Sequence, residues 1–321
     1  MNIMCELENP IRLKITGKCN RKCFFCHKEG GMNIDDIHIS KRFIEIIERL
    51  SSELNMHSIA ITGGEPLLYQ DFEMLIEKLM ECEGIHKFSI TTNGTIFKPK
   101  SFWEKLKKYG LYKVNISMPD ILDNLHENLK TKLVTSVNTS VFEKQLETIK
   151  ILNELGVEVK INIAIINDVW YTSSVLGNLL NEKDLRFDVV LLPNITSDKT
   201  FEYSQKIISE LCKVMNFDMV GVRMRNGTSN AMFSFENNLK QRIYIKTTKL
   251  NGIPIQLKSA CSSCEKKESC QEGFYGIRME QHENEFYIRL CIHKSSSDVL
   301  VPIDDFWASD AYKELKQIWG S

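Results

Sequence analysis

The sequence has no apolar run near the roughly 20 residues needed to cross a bilayer, and its first residues lack the basic and apolar regions of a signal peptide. We therefore expect a cytoplasmic protein that does not bind membranes. The sequence also has no excess of one charge, since 41 Lys and Arg residues are matched by 42 Asp and Glu residues among 321. Without a bulk field of one sign, no nucleic-acid partner is expected.

Ten cysteines are present, and in a cytoplasmic protein they are not expected to form disulfides. Seven of them fall into two groups: Cys19, Cys23 and Cys26, then Cys261, Cys264, Cys270 and Cys291. Three thiolates in one loop favour an iron–sulfur cluster with an open iron over zinc, which normally takes four protein ligands. Half of a zinc site, completed by His27 or a distant residue, is the alternative for the first group.

Short apolar, β-branched runs alternate with longer segments of helical period up to about residue 192. Strands are predicted at 11–16, 58–62, 87–91, 112–117, 157–166 and 187–192, and helices at 41–54, 71–81, 102–109, 141–155 and 174–181. Six strands joined by helices require parallel pairing through right-handed crossovers. An eight-unit barrel needs two more units, so the expected α/β fold is a partial (β/α)6 barrel over residues 1–200.

After about residue 200 the alternation stops. Helices are predicted at 203–215 and 304–318, a hairpin is predicted to pair 220–225 with 243–247, and a second hairpin precedes Cys291. We expect residues 201–321 to form a smaller α+β cap over the open side of the barrel. This cap would contain the second cysteine group.

Polar motifs stand at the ends of predicted strands, where barrels of this kind place their active sites. The second strand is followed by Gly63, Gly64, Glu65 and Pro66, the third ends at Asn93 and the fourth at Ser117. Glycines allow a close backbone approach to a ligand, although each motif alone is also compatible with an ordinary turn. Within strands, Lys160 alternates with Asn162 and Arg12 with Lys14, so each pair shares one face. That face is the barrel interior or, for the first pair, alternatively a solvated rim.

The spacing C-x-x-x-C-x-aromatic-C, with Phe25 at the aromatic position, resembles the signature of the radical S-adenosylmethionine (SAM) superfamily. The resemblance implies a [4Fe–4S] cluster on the first three cysteines, SAM on its open iron, and cleavage of SAM to a 5′-deoxyadenosyl radical. It assigns residues 63–66 to the amino group of SAM, Phe25 to its adenine, and Asn93 and Ser117 to its ribose or carboxylate. We add Lys160 and Asn162 as candidate cofactor contacts.

The order of segments from residue 11 to residue 291 resembles the GTP 3′,8-cyclase branch of that superfamily, which acts in molybdenum-cofactor biosynthesis. The resemblance implies an auxiliary [4Fe–4S] cluster, held in that branch by three cysteines, whose open iron binds the purine nucleotide. This chain differs by inserting residues 265–272, and if Cys270 in that insertion is a ligand, no open iron remains. It also ends in Trp319-Gly-Ser, where the branch has a mobile Gly-Gly tail. A structural zinc is the alternative for the second cysteine group.

Three functions are compatible with these patterns. The first is a radical SAM enzyme acting on a nucleotide, a nucleoside or a related metabolite, with basic substrate contacts at Arg12, Lys14, Lys160, Arg223, Arg225 and Arg278. The second is a maturase of a ribosomally made peptide, since C-x-x-C-x5-C auxiliary sites are familiar there. The third, a non-catalytic iron–sulfur or zinc module, gives no reason for the Gly-Gly-Glu-Pro motif. Either enzyme would be oxygen-sensitive and would need a low-potential electron donor such as flavodoxin or ferredoxin.

Overall fold

The computed structural model describes residues 2–23, 26, 34–118, 136–166, 168–195, 197–247, 249–250, 253–294 and 296–320. Phe25 and His27 lie outside the described residues. The strands in chain order are β1 Asn2–Glu6, β2 Ile11–Lys14, β3 Ser58–Thr62, β4 Lys87–Thr92, β5 Leu111–Ser117, β6 Glu158–Ile165, β7 Asp188–Pro193, β8 Asp218–Arg225, β9 Ala231–Glu236, β10 Arg242–Thr247, β11 Lys249–Leu250, β12 Ile253–Pro254, β13 Arg278–His282, β14 Glu285–Arg289 and β15 Leu300–Pro302.

The helices lie between these strands much as the sequence predicts. In chain order they are α1 Lys41–Leu54, α2 Phe72–Glu81, α3 Lys100–Lys108, α4 Ser136–Glu154, α5 Val169–Leu180, α6 Asp198–Val214, α7 Lys258–Cys261, α8 Ile303–Phe306 and α9 Asp310–Trp319, with a 3-10 turn at Pro66–Leu68. The terminal helix predicted at 304–318 is divided in two. It restarts at Ser309, whose hydroxyl accepts a hydrogen bond from the Tyr312 amide and thereby caps α9.

Thirteen strands form one curled sheet in the order β1-β8-β9-β10-β7-β6-β5-β4-β3-β2-β13-β14-β15. Strands β2 to β7 are neighbours in chain order, and every pairing among them is parallel. The predicted partial (β/α)6 barrel is therefore confirmed. No helix within the described residues is long and apolar enough to cross a membrane.

The strands after residue 200 extend the barrel sheet at both of its edges. On one side β10 pairs parallel with β7, and on the other β13 pairs parallel with β2. The predicted pairing of 220–225 with 243–247 is wrong, because β9 lies between β8 and β10 and is antiparallel to both. The sequence signal for a hairpin between β8 and β9 is Asn226-Gly227, a pair of residues that favours tight hairpin turns. The division at residue 200 stays a prediction, since the sheet is continuous across it.

Alternation along the strands separates an apolar face from a polar one. On β2, Ile11 and Leu13 are fully buried in the apolar core that includes residues of α1 such as Phe43. The residue between them, Arg12, lies in register with Ala60 of β3 and faces the barrel interior. The helices therefore cover the outer face of the sheet, and the inner face is left for polar side chains.

Candidate active site

A cavity of about 380 Å³ lies on the inner face of the curled sheet. Its wall includes the first cysteine loop, the loops after β3 and β4, interior residues of β5 and β6, and the segment that leads into β13. These are mostly the carboxyl ends of parallel strands, where α/β folds bind their ligands. The cavity is therefore the candidate active site.

The cysteine loop lies directly on the glycine pair after β3. The Gly64 amide donates to the Thr16 carbonyl at 2.7 Å, and the Glu65 amide donates to the Lys18 carbonyl at 2.7 Å. A Cβ atom on Gly64 would lie 2.1 Å from the Lys18 carbonyl oxygen, so only glycine allows this approach. The two predicted motifs are thus held together by backbone hydrogen bonds, and both line the cavity.

The three thiols of this loop have the donor chemistry of an iron–sulfur site. Cys19, Cys23 and Cys26 are all free of disulfides and all line the cavity. Over the described part of the chain, no three His, Cys, Asp or Glu side chains converge closely enough to form a metal site. The three thiols are therefore ligands of the type that a [4Fe–4S] cluster needs, and they lie in the same wall of the cavity. Their side chains do not converge on a common point.

Glu65 is fully buried, and its carboxylate joins the ends of β3 and β4. It accepts hydrogen bonds from the Leu67 amide at 3.1 Å, the Thr92 hydroxyl at 2.7 Å and the Asn93 amide at 2.7 Å. Burial raises the pKa of Glu65 despite these hydrogen bonds. Its contacts are those of a carboxylate that shapes the site, and the role of Glu65 and Pro66 in binding SAM stays a prediction.

The Asn93 side chain connects the end of β4 to the cysteine loop. Its Nδ2 donates to Oδ1 of Asn20 at 2.9 Å, and Nδ2 of Asn20 donates to the Thr95 hydroxyl at 2.8 Å. The buried Gln145 of α4 donates to the Asn93 carbonyl at 2.8 Å and reaches the Ser117 carbonyl at 3.5 Å. Sequence reasoning missed Asn20 and Gln145. The position of Asn20 between two predicted ligands was the available signal, and Gln145 had none.

Of the residues proposed on β5 and β6, Ser117, Lys160 and Asn162 all line the cavity. Lys160 is 4% exposed and has the Glu158 carboxylate 3.3 Å from its Nζ. Burial, reinforced by the neighbouring Lys113, lowers the pKa of Lys160. Lys113, which sequence reasoning missed, also lines the cavity and also has a pKa lowered by burial. On β5 and β6, lysines that alternate with apolar residues and share a face with other polar side chains therefore face the barrel interior.

The predicted substrate contacts divide into two sets. Arg12, Arg225 and Arg278 line the cavity. Lys14 is instead 1% exposed and donates to the Glu280 carboxylate at 2.6 Å. Arg223 lies 3.6 Å from the Glu6 carboxylate, which also accepts a hydrogen bond from Arg225 at 2.8 Å. Lys14 and Arg223 therefore lie beside carboxylates and outside the described cavity lining, whereas Arg225 both lines the cavity and pairs with Glu6.

The segment leading into β13 adds cavity residues that sequence reasoning missed. The Tyr275 ring has three cations over it, with ring-centroid distances of 4.0 Å to Nζ of Lys246, 5.5 Å to Cζ of Arg12 and 5.7 Å to Cζ of Arg278. Glu272, which is 3% exposed, lines the same wall. The sequence does not predict this group, because Arg12 and Lys246 come from segments far from residues 272–278.

The second cysteine group lies outside the cavity lining as far as the described residues show. Burial raises the pKa of Cys261 and of Cys291, and the charge of the neighbouring Cys264 and Cys270 raises both further. The Sγ of Cys270 accepts a hydrogen bond from the Gly273 amide at 3.2 Å. Over the described residues the four thiols do not converge on a common point, and which of them bind a metal stays a prediction.

Comparison with known proteins agrees with this arrangement. A sequence profile of the Radical SAM superfamily matches residues 13–169. The GTP 3′,8-cyclase of Staphylococcus aureus (strain JH9) is 26% identical over 294 residues, which cover 84% of this chain and 79% of the cyclase.

One solved structure shows the likeness in fold, and a second has a lower score. Hexahistidine-tagged anSMEcpe with bound AdoMet is 16% identical, with a TM-score of 0.55 over 99% of this chain and 84% of that one. Streptococcus suis SuiB bound to precursor peptide SuiA is 20% identical, with a TM-score of 0.44 over 69% of this chain and 49% of SuiB. This chain thus matches about half the length of SuiB. The chain thus has a domain at residues 13–169 that matches the radical SAM superfamily, whose enzymes use a [4Fe–4S] cluster and SAM.

Proposed function

We propose that this protein is a radical SAM enzyme that abstracts hydrogen from a small anionic substrate, a nucleotide, nucleoside or related metabolite, bound in the barrel cavity. The charge of the cavity wall carries this proposal. Among the described residues, seven cationic side chains and one carboxylate line the cavity. The cations are Arg12, Arg21, Lys113, Lys160, Arg225, Lys246 and Arg278, and the carboxylate is Glu272.

The excess of cations is local, because the chain as a whole has a formal net charge of −1. Some of the seven have carboxylates nearby, as Arg225 has Glu6, but the wall as a whole remains positive. Holding several cations within a cavity of about 380 Å³ is costly without a counter-charge. Arginine side chains suit phosphate and carboxylate groups in particular, since their planar forks donate two parallel hydrogen bonds.

We propose that Cys19, Cys23 and Cys26 hold the [4Fe–4S] cluster at the end of the cavity. With this cluster and SAM bound, the chemistry supplied is reductive cleavage of SAM to a 5′-deoxyadenosyl radical, which takes a hydrogen atom from the substrate. Gly63 and Gly64 would offer backbone groups to SAM beside the cysteine loop, and Ser117 and Asn162 would offer polar side chains. The barrel wall would keep water from the radical.

We further propose that Cys261, Cys264, Cys270 and Cys291 hold an auxiliary [4Fe–4S] cluster through four thiolates. The position of Cys270 in the sequence between Cys264 and Cys291 supports four ligands rather than three. A cluster closed in this way has no open iron for substrate, which agrees with the position of the group outside the cavity lining. A structural zinc at the same four thiols is the alternative to be excluded.

A peptide maturase is the second candidate, favoured by the C-x-x-C-x5-C spacing of the second cysteine group. In either case, the proposed setting is the cytoplasm with a low-potential donor such as flavodoxin or ferredoxin. The cationic wall favours the small anionic substrate, because a peptide backbone by itself carries no charge to match it.

The decisive experiment is an anaerobic assay of reconstituted protein with dithionite and SAM, in which 5′-deoxyadenosine is measured. We expect cleavage by the wild type and none by the Cys19→Ala variant, with Cys5→Ala as the matched control. Cleavage should increase with an anionic metabolite from a panel of nucleotides and sugar phosphates, and a stimulation by short peptides alone would favour the maturase. No cleavage by the wild type would reject both enzymes. Metal analysis should find about eight irons rather than about four irons and one zinc.

A further inference from the structure

Glu272 is the one carboxylate in the cavity lining over the described residues, and its hydrogen-bonding capacity is not used up by the protein. Its Oε2 atom is buried and has no hydrogen-bond partner among the described residues. The nearest cations in the described part of the chain are too distant for hydrogen bonds, since Nη2 of Arg278 lies 3.7 Å from Oε1 and Nζ of Lys246 lies 3.9 Å from Oε2. A buried acceptor without a donor is rare in folded proteins and requires an explanation.

Two cations near Glu272 also stand over the Tyr275 ring. Lys246 and Arg278 lie 4.0 and 5.7 Å from the ring centroid, and Arg12 lies on the same ring at 5.5 Å. This wall therefore presents an acceptor, an aromatic face and several cations side by side. A group that binds here can place an anionic part near the cations and a hydrogen-bond donor near Oε2 of Glu272.

The position of Glu272 follows from the segment that contains it. Relative to the three-cysteine pattern of the cyclase branch that the sequence resembles, residues 265–272 are an insertion. Two residues before Glu272, the Cys270 Sγ accepts a hydrogen bond from the Gly273 amide at 3.2 Å and so closes a tight turn. The same insertion thus supplies a fourth thiol to the auxiliary group and a carboxylate to the cavity.

We propose that Glu272 is a specificity-determining residue, which accepts a hydrogen bond from an N–H donor on an anionic substrate. This inference rests on the proposed function, and it narrows the substrate to one that has both an acidic group and an amino, ammonium or amide group. Oε2 of Glu272 accepts the donor, and the cations around Tyr275 hold the acidic group. A site built to pair with a substrate N–H discriminates strongly against an analogue that lacks it, because its buried acceptor is then left unpaired.

The test uses two pairs of probes: in the first an amino group is replaced by hydrogen, and in the second an ammonium is replaced by a hydroxyl, which is a weaker donor. The first pair is guanosine and inosine 5′-monophosphate, and the second is glucosamine 6-phosphate and glucose 6-phosphate. Binding to the reconstituted holoprotein is measured by anaerobic calorimetry with SAM present, for the wild type, Glu272→Gln and Glu268→Gln. Glu268 lies in the same insertion but is exposed, so its variant makes the same chemical change outside the cavity.

In the wild type and in Glu268→Gln, we expect the amino-bearing member of at least one pair to bind at least about tenfold more tightly. In Glu272→Gln, this preference should fall below about threefold. Equal binding within both pairs, or a preference that survives in Glu272→Gln, would overturn the inference while leaving an anionic substrate intact. If neither pair binds, the inference fails together with the proposed substrate class. Cleavage of SAM by the same preparations reports separately on the radical SAM chemistry and on the integrity of the variants.

Discussion

Two buried carboxylates of the C-terminal segment, Glu280 and Glu272, have cations as neighbours but differ in how closely these approach. Glu280 accepts hydrogen bonds from Lys14 at 2.6 Å and from Nη2 of Arg289 at 2.6 Å, and His282 Nε2 lies 2.8 Å away. We call these four residues the Glu280 cluster. Glu272 has its nearest cations at 3.7 and 3.9 Å, and with Lys246, Tyr275 and Arg278 it forms the Glu272 site.

We interpret this difference in distance as a difference in role: the Glu280 cluster stabilises the fold, and the Glu272 site is arranged for a ligand. Burial by itself would raise the pKa of Glu280, but hydrogen bonds from His282, Arg289 and Lys14 outweigh it and lower that pKa. The Glu280 cluster also joins β2 to β13 and β14, because Lys14, Glu280 and Arg289 stand on these three strands. In the Glu272 site the carboxylate and its cations lie farther apart and all line the cavity, which leaves Oε2 of Glu272 able to accept a hydrogen bond from a substrate.

The largest effect is expected on folding stability, when the charge of each carboxylate is removed in turn. We expect Glu280→Gln to lower the free energy of unfolding by about 3–5 kcal/mol, because Lys14 and Arg289 stay buried without a counter-charge. Glu272→Gln should change it by only about 1 kcal/mol, since lost attraction is offset by the removal of a poorly hydrogen-bonded buried charge. Anaerobic urea titrations followed by circular dichroism measure both. Equal losses in the two variants would show that Glu272 is as much a structural residue as Glu280.

The second largest effect is expected on anion binding. Arg278→Met should weaken the binding of guanosine 5′-monophosphate by about 10–100-fold, because hydrogen bonds to charged groups contribute about 1.5–3 kcal/mol each. The matched control is Arg223→Met, since Arg223 was also predicted as a substrate contact but instead lies beside Glu6. That variant should bind the nucleotide as the wild type does. If calorimetry showed equal losses of affinity in both variants, the claim that Arg278 contacts the substrate and Arg223 does not would be contradicted.

Strand β2 illustrates which features of the fold and the site can be predicted from the sequence. The alternation of Arg12 and Lys14 correctly predicts that both side chains leave the apolar face, and the barrel, the cysteine loop and the glycine pair follow from similar local patterns. The sequence cannot show that Arg12 meets a cavity while Lys14 meets Glu280, because that depends on β13 pairing with β2 across more than 260 positions. Glu272 and Lys246 were missed for the same reason, since only tertiary structure brings their segments together.

A third prediction concerns the pH dependence of binding and involves Lys160. Burial lowers the pKa of Lys160, so the positive charge that attracts an anion is fully present below that lowered pKa and is lost as pH rises through it. Affinity for glucose 6-phosphate should therefore fall, by up to about tenfold per pH unit, at pH values below those at which an ordinary lysine titrates, while the phosphate keeps its charge because its second pKa is about 6. Lys160→Arg should flatten the decline, because arginine stays protonated. An identical pH profile in the variant would exclude Lys160 as the titrating group.

The smallest expected effect comes from the ring at the centre of the Glu272 site. Tyr275→Leu removes an aromatic face that has Lys246 at 4.0 Å and Arg278 at 5.7 Å from its centroid, while Tyr275→Phe keeps that face and removes only the hydroxyl. Cation–π contacts contribute about 0.5–2 kcal/mol each, and part of this is recovered when the freed cations turn to the bound anion. We therefore expect the leucine variant to bind guanosine 5′-monophosphate about 2–10-fold more weakly, and the phenylalanine variant to match the wild type. If Tyr275→Phe bound as weakly as Tyr275→Leu, the hydroxyl rather than the ring would be the group that acts. If neither variant changed binding, the ring would not be needed to position the cations. The Glu272 site would then differ from the Glu280 cluster only in the distances between its carboxylate and its cations.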